Sequence, residues 1–461
     1  MNTASPHAFN KRLRHAVGRD RGLVEGKNKG DSMLNALFRL AEHGTTVRTE
    51  ILAGVTTFLT MAYIVFVNPS ILQATGMDQG AVFVATCLAA AIGTAIMGFY
   101  ANYPVALAPG MGLNAYFTYG VVLGMGYTWQ AALGAVFLSG ILFVILSVLP
   151  VREWIINSIP RSLKMSISAG IGLFLAIIGL KNAGIVVDHP ATLVTLGDVT
   201  AAPALLAAAG FILMVAMNAR RIPGAVIIAI LAVTAVGIVL GVSPTGGIFS
   251  LPPSIAPTFL EMDLAAAFQI GLISIVFAFL FVDLFDTAGT LVGLSHRAGM
   301  LDERGRLPRL RQALLADSSA TLAGAALGTS TTTSYIESAA GINAGGRTGL
   351  TAVTVAVLFL LCLFLAPLAG TIPAYATAPA LVFVACLMVR GLAEIDWDDV
   401  TEVAPAVITA VSMPLTFSIA TGIGLGFISY AAIKLISGRT SEATPAVLIL
   451  SVAFVVKFAV V

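Results

Sequence analysis

The sequence predicts an all-α polytopic membrane protein, and three observations carry that reading. Apolar residues make up 58% of the 461-residue chain and charged residues 10%, where an ordinary globular protein has about 45–50% and about 25%. Long intervals carry no charge: none occurs between Glu50 and Asp78, Asp78 and Arg152, Arg221 and Glu261, or Arg347 and Arg390. The cations collect in the N-terminal stretch and in alternate loops, the pattern by which Lys and Arg set orientation. Such a chain cannot cover itself with a polar surface, which excludes the two or three soluble domains that length alone would suggest. Its 25 Lys and Arg nearly cancel 23 Asp and Glu, so a nucleic-acid binder, which needs a large basic excess, is excluded too. Cys87, Cys362 and Cys386 lie in apolar runs without metal-ligand spacing and read as small apolar filler.

A helix crosses the bilayer core in about 20 mostly apolar residues. Cutting at Gly, Pro, Asn and charge clusters gives segments 1–7 near 51–74, 79–100, 104–123, 128–150, 162–182, 201–218 and 222–242. Segments 8–14 fall near 265–294, 312–327, 329–345, 349–368, 373–391, 402–436 and 445–461. Residues 1–45 are polar and basic, without an apolar run before Met33, and read as a cytoplasmic tail rather than a signal peptide. With Lys11, Arg12, Arg14, Arg19, Arg21, Lys27 and Lys29 inside, the inside loops also hold Arg152, Arg161, Lys164, Arg220, Arg221, Arg297, Arg304, Arg306, Arg309 and Arg311. The alternate loops around 75–78, 122–127, 243–264 and 369–372 hold no Lys or Arg. Lys434 and Arg439 break the alternation, and 402–436 can be either one segment or two short helices split near Pro414 to Gly424. The basic loop 295–311 serves orientation.

Transporters built from inverted repeats bind substrate near the midplane, where corresponding helices are broken. Segment 3 carries Pro104, Pro109, Gly110 and Gly112 before Asn114, and segment 10 runs Gly328-Thr-Ser-Thr-Thr-Thr333-Ser334-Tyr335-Ile-Glu337. Each reads as a strand entering a half-helix, its freed N–H groups and positive dipole end facing a cavity. A small-residue packing face is the competing reading for both, and a helix cap or interhelical bond for Asn114.

Segment 8 contains Asp283, Asp286, Thr287 and Thr290 at i, i+3, i+4 and i+7, a polar stripe on an apolar helix. An ionised carboxylate at mid-membrane costs about 2.5–3.5 kcal/mol even on a lenient scale, so such residues face a wet or paired interior. Glu337 is the third acid at depth, and Asp317, nearer a loop, reads as structural. Desolvation disfavours the charged form, so acids at depth can exchange protons near neutral pH while accepting from substrate N–H groups. Apart from Lys457 no Lys or Arg falls in mid-span, which favours a neutral N–H-bearing solute or a cation, and a flat heterocycle fits. An intramembrane enzyme is the contrasting class. Asp283-x-x-Asp286 is similar to the paired aspartates that hold Mg²⁺-diphosphate in membrane prenyltransferases, but those need several such motifs. No His lies in a predicted span to serve a Ser or metal mechanism. No cofactor or metal is therefore expected.

At Arg48-Thr-Glu50 to Tyr63, Asn68-Pro69, Ala108 to Phe117, Asp286-Thr-Ala-Gly-Thr290 and Ser330 to Ser338 the sequence resembles the AzgA-like purine permeases of the nucleobase/ascorbate transporter superfamily, over roughly 45–437. The resemblance implies fourteen segments in a 7+7 inverted repeat, with short antiparallel strands in segments 3 and 10. It implies a core domain at 46–150 and 264–369 (segments 1–4 and 8–11) and a gate domain at 160–243 and 372–461 (segments 5–7 and 12–14). Carried over residue by residue, the substrate set is Asn114, Asp283, Asp286 and Glu337, with Gly112 and Ser334 from the broken stretches. Asp286, Asp283 and Glu337 are the proton-coupling candidates, and whether Asp283 or Asp286 touches substrate stays open. The implied activity is import of adenine, hypoxanthine or guanine by proton symport through an elevator-like shift of core against gate, in the cell (inner) membrane with a cytoplasmic N-terminus. A same-fold carrier of xanthine, uracil or an anion is the alternative. The partners are a purine base, a proton and the bilayer; the oligomeric state is open, a homodimer among the possibilities.

Overall fold

The computed structural model describes residues 29–149, 159–268, 270–300 and 307–460. The cations at positions 11–27, Arg152, Arg304 and Arg306 lie outside the described residues. Nine helices among the described residues are long and apolar enough to cross a membrane, and three shorter apolar ones follow. Short polar side chains start many of them by accepting from the first free N–H groups. Asp78 accepts from the Ala81 N–H at 2.7 Å, Thr128 from Ala131 at 3.2 Å and Ser418 from Thr421 at 3.2 Å.

Segments 1–12 fall where the sequence places them, and segment 13 resolves into two helices. Segment 1 is two helices, Val47–Met61 and Ile64–Leu72, with Pro69 inside the second. Segments 2, 4, 5, 6 and 7 are Gln79–Ile96, Trp129–Val148, Arg161–Asn182, Ala202–Ala219 and Ala225–Val239. Segment 8 is Ile270–Ala298, and segments 9, 11 and 12 are Leu310–Leu327, Gly349–Cys362 and Ala374–Val389. Segments 3 and 10 are broken as expected. Strand β1, Leu107–Pro109, leads into Met111–Ala115 and a wider helical stretch to Gly124. A hairpin that the sequence reading did not assign, β2 (Val186–His189) with β3 (Leu193–Leu196), follows segment 5. Strand β4, Thr332–Ser334, leads into Ser338–Asn343. β1 and β4 pair antiparallel, Leu107 opposite Ser334, Ala108 opposite Thr333 and Pro109 opposite Thr332. The ladder is extended at both ends by Gly110 N–H to the Thr331 carbonyl and Tyr335 N–H to the Ala106 carbonyl, each 2.9 Å.

Stretch 402–436 is a helical hairpin, Val400–Thr416 and Ile419–Ile436, turning at Phe417 in left-handed backbone. The extra crossing removes the charge anomaly. It returns Lys434 to Glu402 at 2.6 Å and Arg439 to Asp399 at 2.5 Å, on the side where Arg161 meets Glu394. The helix Pro445–Val460 packs on Ile419–Ile436.

Two sets of helices pack mainly within themselves. In one, Leu310–Leu327 lies on Trp129–Val148 and Gln79–Ile96, and Gly349–Cys362 on Val47–Met61. In the other, Arg161–Asn182 lies on Ala374–Val389 and Val400–Thr416, and Ala202–Ala219 on Ala225–Val239. Glycine permits the closest approaches: a side chain at Gly349 would collide with the backbone of Gly98, the small-residue contact common between membrane helices.

Candidate functional site

The crossing of β1 and β4 brings residues more than two hundred positions apart into one polar cluster. β4 is hydroxyl-rich because its groups serve neighbouring helices as well as its own ladder. Ser334 donates to Asp317 Oδ1 at 2.8 Å, and Thr287 donates to Asp317 Oδ2 at 2.8 Å while lying 2.8 Å from the Thr333 hydroxyl. Thr321 bridges the Thr332 carbonyl at 3.0 Å and Asp283 Oδ2 at 3.1 Å. Tyr335 reaches across the crossing to the Pro109 carbonyl at 2.5 Å.

The predicted acids divide into two kinds. Asp283 is 1% exposed, and its Oδ1 has no hydrogen-bond partner. Asp286 and Glu337 are half-buried and lie within Coulombic range of each other. Glu337 Oε1 accepts from the Tyr63 hydroxyl at 2.6 Å. The stripe read from the sequence splits for a geometric reason: at about 100° per residue, Asp286 and Thr287 point apart. Thr287 therefore turns to Asp317 while Asp286 keeps an open face.

Asp317 corrects its assignment as loop-proximal. It sits two turns inside Leu310–Leu327, fully buried with both oxygens bonded, in Coulombic range of Asp283 and Asp286. Ser334 faces this buried network. Asn114 is fully buried; its Oδ1 accepts from Ser330, and its Nδ2 has no partner. Gly112 lies against Ile171 of segment 5, where a side chain would collide with the Ile171 γ-methyl.

Tyr63, Ser330 and Thr333 lie in the motifs quoted from the sequence but were given no role there, and Thr321 was not singled out, because their partners are distant in the chain. Asn68, of the Asn68-Pro69 motif, donates to Thr86 at 2.7 Å and Thr329 at 2.8 Å, tying segments 1, 2 and 10 together. Glu50 is fully buried and accepts from Arg347 N–H at 2.9 Å, Thr348 N–H at 3.2 Å and the Thr351 hydroxyl at 2.6 Å. The ion pairs among the described residues involve other acids, and none reaches Asp283, Asp286, Asp317 or Glu337. The cluster is thus an acid and hydroxyl site that accepts N–H donors or protons.

Comparisons with known proteins agree with this architecture. The transmembrane domain of a cyanobacterium bicarbonate transporter, BicA, superposes with a TM-score of 0.58 at 16% identity, covering 83% of this chain and 97% of that one. The murine anion transporter Slc26a9, in its inward-facing state, gives 0.62 at 10% identity, covering 95% and 76%. Both show the fold alone. In sequence, the adenine permease AdeP of Escherichia coli (strain K12) is 50% identical over 431 residues, 94% of this chain and 97% of its own. The guanine/hypoxanthine permease PbuG of Bacillus subtilis (strain 168) is 46% identical over 437 residues, 92% and 99%. A profile of the permease family (Xan_ur_permease) matches residues 48–425, nearly the whole membrane portion. With the crossed strands, the acid cluster and this match in hand, the chain belongs to that permease family and is a membrane transporter, not an enzyme.

Proposed function

We propose that this permease imports purine nucleobases (adenine, hypoxanthine or guanine) by proton symport. The observation that carries the reading is the half-buried pair Asp286 and Glu337 at the strand crossing, free of cationic partners among the described residues. Purines present N–H donors on their edges, and a carboxylate accepts them in strong, charge-assisted bonds. Glu337, steadied by Tyr63, takes the base; Asp286 stands beside it and exchanges the proton. Asp283, fully buried behind them, supports the site without touching substrate. Asn114 braces the stretch entering β4 through Ser330, from the half-helix that begins after Gly110.

The core, 46–150 and 264–369, carries this site past the gate, 160–243 and 372–461, in an elevator-like cycle. The two helix sets pack mainly within themselves, which supports such a movement. The names of the relatives AdeP and PbuG support a purine. An anion fits poorly, since a fixed anion is usually met by Lys or Arg.

Uptake of labelled adenine, hypoxanthine and guanine into a permease-deficient cell tests the reading, with xanthine and uracil as competitors. We expect uptake of at least one purine that rises as external pH falls, collapses with a protonophore and survives replacement of Na⁺ by choline. Competition by uracil but by none of the purines would overturn the substrate. Full uptake without a proton gradient would overturn the coupling.

A further inference from the structure

The N-terminal helix Lys29–Phe38 has two apolar faces, and only one is used inside the protein. Phe38 is 2% exposed and packs with Leu40, Leu350, Leu34 and Val353. Asn102 fastens this end: its Nδ2 donates to the Phe38 carbonyl at 3.0 Å while its Oδ1 accepts from Gly349 N–H at 2.7 Å. The helix is therefore docked on the ends of segments 2 and 11. On its other face Met33 is 70% and Leu37 54% exposed, with exposed Ala36 between them. Positions i, i+3 and i+4 form one continuous stripe. Phe99 and Tyr100, 58% and 55% exposed, end the membrane span Gln79–Ala101 on which this helix is docked. Phe99 meets Phe38 of the helix, their ring centroids 5.7 Å apart.

Aromatic residues ending a span sit at headgroup level, so the helix beside them lies at that depth as well. Arg48 is exposed, Arg39 is exposed and pairs with Glu42 at 3.9 Å, and the sequence from Lys11 to Lys29 holds seven Lys and Arg against Asp20 and Glu25. We infer that Lys29–Phe38 is an interfacial helix, with Met33, Ala36 and Leu37 sunk among the acyl chains of the cytoplasmic leaflet, and that the basic excess of the sequence before it makes anionic phospholipid the preferred surface. Apolar burial and attraction to anionic lipid act together in such elements. The partner is a bilayer surface, fixed by continuity with the end of a span; this inference does not depend on which solute is carried.

The test uses the full-length protein, with exposed Cys386→Ser to remove the accessible thiol, the other two cysteines being buried. An environment-sensitive fluorophore is attached at Met33→Cys, Leu37→Cys or, as an exposed reference, Glu42→Cys. Proteoliposomes of phosphatidylcholine alone or with phosphatidylglycerol are compared, using a shallow nitroxide lipid and aqueous iodide as quenchers. We expect nitroxide quenching and iodide protection at 33 and 37 but not at 42, with at least about threefold weaker lipid quenching when the anionic lipid is omitted. Iodide access at 33 and 37 equal to that at 42, or quenching indifferent to anionic lipid, would overturn it. Uptake by the unlabelled protein in the same vesicles reports separately on the transport reading.

Discussion

Tyr63 and Glu337 stand 274 positions apart and share one hydrogen bond, the most consequential single contact for the proposed site. Losing a bond to a charged group costs about 1.5–3 kcal/mol. Glu337→Gln keeps the shape and loses the charge, so purine uptake should fall by about tenfold or more, measured as initial rate over a concentration series. Tyr63→Phe should raise KM several-fold through a less fixed carboxylate, leaving pH dependence intact; unchanged kinetics in both variants would remove Glu337 from the site. Asp286→Asn should flatten the pH profile of uptake, whereas loss of binding with the profile retained would reassign the proton. Asp317 belongs to a different account. Replacing it by Ala strands the hydroxyl of Ser334 and leaves Thr287 only its contact with Thr333, and an unsatisfied buried group costs about 1–3 kcal/mol. Thermal unfolding in detergent should show Asp317→Ala clearly destabilised and Asp317→Asn less so.

At the scale of elements, the hairpin Val400–Thr416/Ile419–Ile436 is closed by charge. Lys434 is fully buried at its end and meets Glu402, Glu442 at 2.5 Å and the Thr401 hydroxyl at 2.8 Å. Removing one member of a buried pair costs about 3–5 kcal/mol, and the exposure of Glu402 and Glu442 brings the expected loss for Lys434→Ala to about half of that. A Lys434→Ala protein as stable as the wild type would mean that packing alone closes the hairpin. Beside it, hydrogen bonds from Thr401 and then the Arg439 guanidinium hold Asp399 down at about 2 against an ordinary 3.8. A depressed carboxylate contributes stability above its unfolded pKa and loses it as pH falls through the folded one. The contribution of Asp399 is therefore constant from neutral pH to about 4 and fades between about 4 and 2. Arg439→Gln should lower the melting temperature at pH 7, with the difference from wild type shrinking below pH 4.

For the whole molecule, the question is whether the two helix sets move past each other. Gly112 and Ile171 face each other across their boundary, and a β-carbon built on Gly112 lies 3.8 Å from the Ile171 β-carbon. Disulfides need about 3.5–4.5 Å between β-carbons, so the pair Gly112→Cys and Ile171→Cys, in a Cys386→Ser protein, should cross-link on oxidation. If core moves against gate, uptake stops when the bond forms and returns on reduction; undiminished uptake in the cross-linked protein would rule that movement out. Much of this architecture is legible in composition and order. Charge-free intervals locate the spans, broken motifs locate the two half-helices, and insertion cost marks Asp283, Asp286 and Glu337, because the bilayer penalises charge wherever it falls in the chain. The sequence by itself therefore determines a membrane permease with acids at depth. Tertiary structure alone decides that Asp283 and Asp317 are walled in by hydroxyls while Asp286 and Glu337 stay half open, that Tyr63 holds Glu337, and that Lys434 belongs beside Glu402. Those outcomes depend on the antiparallel crossing of β1 and β4 and on the turn at Phe417, long-range pairings that leave no periodicity or local spacing to read.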